Sequence, residues 1–260
     1  MPWLDDDPQL NRPFGLDDFR AATHGLPVEA FVYVQTDVTP AYGLLEAEWA
    51  VAHADGVVAW APLEDGPIVR AYLDALLRLG PRVKGVRRLI QSEPDPDFPQ
   101  RLVDGLRLLP AYGYPFDICI RHHQLPATIA MVRGCPETWF VLDHLAKPDV
   151  KHHRLDPWRE HLARLASLPN VVGCKLSGLI TEADHQTWTP ADLAPFVAHA
   201  IDVFGLDRLL FGSDWPVLTR AASYGQWTET LAGLTQHLDR DARGRLWSDN
   251  ARRVYRLDAS

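Results

Sequence analysis

The sequence predicts a parallel α/β fold closed into a TIM-barrel-like (β/α)8 architecture, and three observations carry that expectation. Short apolar segments rich in Val, Ile and Phe alternate with longer segments of helical spacing. The short segments are apolar on both faces, as strands covered by helices must be. Polar residues gather at their C-terminal ends: Gln35-Thr36-Asp37, Arg87-Arg88, Arg121-His122-His123, Asp143-His144, Lys175-Leu176-Ser177 and Ser213-Asp214. A barrel delivers its chemistry at those ends.

Strands are expected over 30–35, 57–62, 83–90, 116–121, 139–143, 171–176 and 209–211. Helices are expected between them, over 42–54, 68–79, 99–109, 157–168 and 190–204. Three of these open on Pro99, Pro157 and Pro190, in the first turn, where a missing N–H leaves no bond unmade. The competing architecture, an open doubly wound sheet, would carry a glycine-rich phosphate loop after its first strand. The stretch Val34-Gln35-Thr36-Asp37-Val38-Thr39-Pro40 has no glycine, which favours the closed barrel. Only seven strands can be found where eight are needed, and the first thirty residues hold no apolar run to supply another. The expectation is therefore a barrel lacking its first strand. No linker, repeat, low-complexity tract or charge block divides the chain, so 1–260 reads as a single domain.

Composition limits the function classes. With 47% hydrophobic and 23% charged residues, the 260-residue chain can bury a substantial core, which excludes disorder, collagen and coiled coil. A formal charge of −8 gives no footprint for a polyanion, so nucleic acid is excluded as an expected partner. Cys119, Cys135 and Cys174 are too few for a disulfide framework or a four-thiolate zinc site and read as reduced thiols of a cytoplasmic protein. No run of about 18 apolar residues exists, and the acidic start is unlike a signal peptide, so neither membrane nor export is expected. The sequence sets no oligomeric state.

The sharpest chemical signal is Leu209-Leu210-Phe211-Gly212-Ser213-Asp214-Trp215-Pro216. An apolar strand runs into a glycine turn that presents one carboxylate, and proline blocks further pairing. Asp214 can serve as general base or metal ligand; the plain structural alternative is a cap on the next helix. Phe140-Val141-Leu142-Asp143-His144 ends another strand with a histidine. Strand alternation puts His144 on the face of Phe140 and Leu142, with Asp143 on the opposite face, so the two are not expected to act as a local pair. A third strand ends in Arg121-His122-His123, and parity does not say which histidine faces inward. Either Arg87 or Arg88, not both, should face the mouth, where a guanidinium can hold a carboxylate or a polarised carbonyl oxygen. Trp215 and Trp188 lie near strand tips and suit a planar or sugar-like ligand. Cys119 and Cys174, inside apolar strands, read as small buried hydrophobes rather than nucleophiles. The remaining histidines, His24, His53, His152, His153, His161, His185, His199 and His237, read as solvated loop and helix residues.

The series KGVRRLIQ (84–91), ICIRHHQLP (118–126), FVLDHLAKP (140–148), CKLSGL (174–179), LLFGSDWPV (209–217) and NARRVYRL (250–257) resembles the amidohydrolase-related lactonases. These are (β/α)8 enzymes of the L-fuconolactonase, L-rhamnonolactonase and 2-pyrone-4,6-dicarboxylate lactonase types, and the sugar-lactone branch is the closer. The resemblance runs from Trp3 to Leu257. It implies that Asp214 activates the hydrolytic water and that His144 contacts substrate or metal. It also implies that Arg87 holds substrate, that His122 and His123 form a second polar wall, and that Lys147 and Trp215 join the pocket. Family members open with a first strand bearing H-x-H, which this sequence lacks, so the resemblance implies that the absent strand is the first and the chain an N-terminally shortened version. With His144 and Asp214 as the only implied ligands, a divalent metal such as zinc has fewer than the three protein ligands a catalytic site usually keeps, and the family also offers metal-independent catalysts. The expected activity is hydrolysis of a sugar-acid lactone. The alternatives are a metal-dependent decarboxylase of the same superfamily and a ligand-binding barrel that has lost catalysis.

Overall fold

In the computed structural model, Leu4 and residues 7–257 are described. Seven strands, β1 (Val32–Val34), β2 (Gly56–Trp60), β3 (Val83–Arg87), β4 (Phe116–Ile118), β5 (Phe140–Leu142), β6 (Val171–Leu176) and β7 (Leu209–Phe211), form one sheet in chain order. Every neighbouring pair is parallel, with register set by pairs such as Val34–Val58, Arg87–Asp117 and Leu176–Phe211. Parallel neighbours in chain order, with helices between them, make a TIM-barrel-like fold one strand short. β1 and β7 are the two ends of the sheet, and no eighth strand lies among the described residues.

The helices are α1 (Leu16–Ala22), α2 (Gly43–Val51), α3 (Pro67–Arg78), α4 (Phe98–Arg101), α5 (Val103–Leu106), α6 (Leu125–Arg133), α7 (Trp158–Ala166), α8 (Pro190–Phe204), α9 (Tyr224–Leu234), α10 (Arg240–Gly244) and α11 (Asn250–Tyr255). Caps fix several starts. Thr189 and Asp192 close a reciprocal box at α8, and Ser223 accepts the Gln226 N–H at 3.1 Å to start α9. The expected helix at 99–109 is instead the two short helices α4 and α5 followed by a 3-10 turn, Leu109–Tyr112. Gly105 and Pro110 weaken helix propagation there. A Cβ at Gly105 would stand 2.2 Å from the Leu63 carbonyl oxygen, so glycine is what permits the chain to approach the end of β2.

Alternation along the strands builds two cores. Val86, Phe116, Ile118, Phe140, Leu142 and Cys174 pack outward against the helices, with Phe116 and Phe140 edge to face at 6.1 Å. Fully burying each large side chain contributes about 1.5–3 kcal/mol. The intervening residues Val58, Val141 and Leu210 pack on the other face with Val254 and Tyr255 of α11. α11 therefore fills the barrel interior from the C-terminal segment. Asn250 Nδ2 donates to the Leu206 and Leu209 carbonyls at 2.7 and 2.8 Å, and Arg252 pairs with Glu29 at 3.0 Å just before β1. On the other side of the gap between β1 and β7, Phe19 of α1 contacts both Phe31, beside β1, and Trp215, beyond β7, with centroid separations of 4.8 and 5.5 Å. Among the described residues no helix is long and apolar enough to cross a membrane.

Candidate active site

The site is assembled at the C-terminal ends of β5, β6 and β7 by backbone that L-residues rarely adopt. After β5, the consecutive residues His144, Leu145, Ala146 and Lys147 all have positive φ, between 49° and 60°. Each carries roughly 1–2 kcal/mol of strain, so the run persists only because its surroundings over-determine it. Trp158 Nε1 donates to the Leu145 carbonyl at 2.7 Å, His122 Nδ1 lies 3.0 Å from the Lys147 carbonyl, and Leu145 and Ala146 are buried. This turn corrects the alternation argument. His144 does not follow Phe140 and Leu142 toward the helix layer, because the strand ends at Leu142 and the left-handed turn swings the ring over the barrel mouth. Its ring and the Asp143 carboxylate end up on the same side, within 4.8 Å of each other.

His144 Nε2 lies 3.4 Å from Asp214 Oδ1, and His144 Nδ1 lies 2.8 Å from Ser177 Oγ at the end of β6. Asp214 is itself left-handed, with φ 59°. A carboxylate only accepts, so a neutral His144 carries its proton on Nε2 toward Asp214 and accepts the Ser177 hydroxyl at Nδ1. Burial favours that neutral ring by lowering the His144 pKa, against the opposing pull of Asp214 and Asp143. Gly178, at φ 66°, brings its backbone against the ring; a Cβ there would be 2.8 Å from His144 Cβ and Cγ. Asp214 Oδ2 is buried with no hydrogen-bond partner among the described residues.

Beneath the dyad lies a chain of buried charges. Lys175 Nζ is 2.5 Å from Asp117 Oδ2 and 2.6 Å from Asp143 Oδ1, and Tyr255 donates to Asp117 at 2.8 Å. Asp143 Oδ2 accepts from Arg87 at 2.9 Å, and Arg87 also donates to the Gln35 carbonyl. Burial raises the Asp117 carboxyl to about 6, with Lys175 opposing and Asp143 adding to the rise. Asp143 goes the other way: burial would raise it, but Lys175 and Arg87 together hold it well below the usual carboxylate range. Burial disfavours the Lys175 cation, yet Asp117 and Asp143 hold it firmly protonated.

The residues expected at the site divide as follows. His144 and Asp214 meet. Arg87, not Arg88, faces inward; it is engaged by Asp143, and its buried Nε has no partner among the described residues. Arg88 turns to Glu64 and Glu93, at 2.8 and 2.6 Å. His122 is half-buried and braces the turn through Lys147, whereas His123 is exposed. Lys147 is mostly covered and 4.0 Å from Glu182. Trp215 lies between Phe14 and Phe19, each with ring centroid 5.5 Å away. Trp188 is tied by its Nε1 to the Ala221 carbonyl at 3.0 Å. Sequence reasoning missed Ser177, Lys175, Asp117 and Cys119 as a connected set. The signal was present: Asp117 and Cys119, and Lys175 and Ser177, are each two residues apart on one strand and so share a face.

The donors for a metal also differ from the expected pair. Cys119, Asp143 and His144, all buried, each offer one ligand atom, and those atoms lie within 4.8 Å of one another; Asp214 is not in that group. Sulfur, nitrogen and oxygen donors, three in number, fit a divalent ion such as zinc. Three features oppose the ion: Arg87 and Lys175 already hold Asp143, the Ser177 hydroxyl occupies His144 Nδ1 while Nε2 faces Asp214, and burial pushes the Cys119 thiol up to about 11.

The family model described as Amidohydrolase matches residues 1–257. An L-fucono-1,5-lactonase of Burkholderia ambifaria is 34% identical over 261 aligned residues, covering 96% of this chain and 87% of that protein. An L-rhamnono-gamma-lactonase of Scheffersomyces stipitis is 24% identical, covering 98% and 84%. The crystal structure of a Burkholderia multivorans amidohydrolase with bound zinc superposes with a TM-score of 0.88 at 31% identity, over 98% of this chain and 93% of that one. A barrel rim that joins Asp214 to His144, and a match along nearly the whole sequence, place this chain in the amidohydrolase family.

Proposed function

We propose that the chain is a hydrolase that opens the cyclic ester of a sugar acid, with Asp214 as the general base. The observation that carries the reading is the Asp214 carboxylate at the barrel rim, with Oδ1 facing a neutral His144 and Oδ2 unpartnered among the described residues. Two relatives above 30% identity, both L-fucono-1,5-lactonases, support the substrate class. Asp214 takes one proton from water as the water oxygen adds to the lactone carbonyl carbon. Negative charge then develops on the carbonyl oxygen. Lys147 and Arg87, whose charges both act on His144, supply positive charge close to the reacting ester, where the surrounding protein keeps their field strong. Collapse breaks the bond to the ring oxygen, and Asp214 returns its proton to the departing alkoxide, leaving a hydroxy acid. His144 holds Asp214 in place, Ser177 holds His144, and His122 braces the turn that carries Lys147. A divalent ion, held by Cys119, Asp143 and His144 when bound, would supply Lewis-acid polarisation of the carbonyl.

The neighbouring classes are less well supported. The relatives above 30% identity described above are named as lactonases and an amidohydrolase rather than decarboxylases, and a barrel without catalysis would leave the strained turn and the Asp214–His144 pair unexplained. The charge of −8 supports a small-molecule partner rather than a polyanion, and three free, buried thiols support a reducing, cytoplasmic setting. We read 1–260 as one barrel domain.

The test is acid release from a panel of sugar lactones, followed with a pH indicator. The wild-type chain opens at least one, and Asp214→Asn loses about 10²–10⁴-fold in kcat while keeping its circular dichroism and melting behaviour. Retained turnover in a folded Asp214→Asn variant would overturn the assignment.

A further inference from the structure

Left-handed backbone at residues other than glycine marks three strand tips among the described residues. Two of them, His144 to Lys147 after β5 and Asp214 after β7, are the site already described. The third is Asp37, with φ 61°, three residues beyond the end of β1. Strain of this kind at a strand tip persists where surrounding contacts impose it. Gln35 imposes it here: its side-chain Oε1 accepts the Asp37 N–H at 2.6 Å, while its carbonyl accepts from Arg87. The Asp37 tip is thus tied through one residue to the guanidinium that holds Asp143.

The usual structural tasks of a strand-end aspartate are filled by others. The next helical turn, Pro40–Tyr42, begins after Thr39, so Asp37 does not cap it. Arg88, a nearby cation, is already held by Glu64 and Glu93. The Asp37 carboxylate has no hydrogen bond or ion pair among the described residues, although the residue is half-buried. Burial accordingly raises its pKa, with Arg88 and Arg87 opposing only in part. A half-buried carboxylate at a strand tip, without a protein donor, keeps its lone pairs open to donors from a ligand. The ring hydroxyls of a sugar lactone are such donors; an unsubstituted lactone ring has none.

We propose that Asp37 is a specificity-determining residue that accepts hydrogen bonds from the ring hydroxyls of the lactone, distinguishing polyhydroxylated rings from bare ones. This inference rests on the lactonase reading above. It predicts a division of labour, with Asp214 and His144 acting at the ester and Asp37 reading the part of the ring that does not react.

Two variants keep the backbone conformation. Glycine and asparagine both tolerate positive φ, so Asp37→Gly removes the carboxylate without adding strain, and Asp37→Asn keeps the shape while removing the charge. Kinetics are measured on an aldono-1,5-lactone and on δ-valerolactone, which has the same ring without hydroxyls. For Asp37→Gly, kcat/KM on the aldonolactone falls about 10- to 100-fold, mainly through KM, while δ-valerolactone is opened as before. Asp37→Asn falls between wild type and Asp37→Gly. Equal losses on both lactones, or no loss on either, with melting temperatures unchanged, would overturn the role of Asp37 and leave the lactonase reading standing. A wild-type chain inert toward every lactone would overturn both.

Discussion

Ser177 Oγ stands 2.8 Å from His144 Nδ1, on the side of the ring away from Asp214. The Asp214 carboxylate, which only accepts, sets the proton on Nε2, and the hydroxyl supports that tautomer by donating to Nδ1. Ser177→Ala removes that donor while leaving the packing nearly intact. Lactone turnover should drop by about 10- to 100-fold, with a urea midpoint close to wild type. A kcat unchanged by the substitution would mean that the ring is oriented by packing alone.

Gly178 makes the same point through sterics. A methyl group at this position meets the His144 side chain at 2.8 Å and forces an L-residue to φ 66°. Gly178→Ala is expected to lower stability by about 1–3 kcal/mol and to displace His144, so that activity falls further than stability explains. Chemical denaturation combined with initial rates separates the two effects.

Lys175 bridges two carboxylates in the interior, and removing it leaves Asp117 without a cation and Asp143 with Arg87 alone. Lys175→Met should destabilise the fold by about 3–5 kcal/mol, read from the urea midpoint. Adding Asp117→Asn to that variant should restore part of the loss, because Asp143 keeps Arg87 and the remaining uncompensated charge is gone. A double variant no more stable than Lys175→Met would show that the lysine acts through packing rather than charge.

Zinc binding should depend on a thiol that looks purely structural. Zinc retained by the wild-type chain after equilibration and removal of excess should fall in Cys119→Ser, both measured by elemental analysis. Replacing zinc with cobalt adds a second readout, since a thiolate ligand gives a near-ultraviolet charge-transfer band that the serine variant lacks. Equal retention by both proteins would remove Cys119 from the ligand set.

The order and type of the seven strands were legible in the chain because both arise from local periodicity: apolar runs such as 171–176 and 209–211 coincide with β6 and β7. The polar strand tips were legible for the same reason, and they contained His144, Asp214 and Arg87. Alternation could not place His144, because four successive left-handed residues after Leu142 break the rule that places side chains along a strand. Nor could it reveal that Arg87 would be held by Asp143, that Lys175 would join Asp117 to Asp143, or that Tyr255 would arrive from the C-terminal helix to hydrogen-bond Asp117. These partners are 32 to 138 residues apart in sequence. Periodicity is a property of neighbours and sets which side of a strand a residue occupies. Pairing of buried charges is a property of the folded sheet, where the absence of water leaves each charged group only the partners that the fold brings to it.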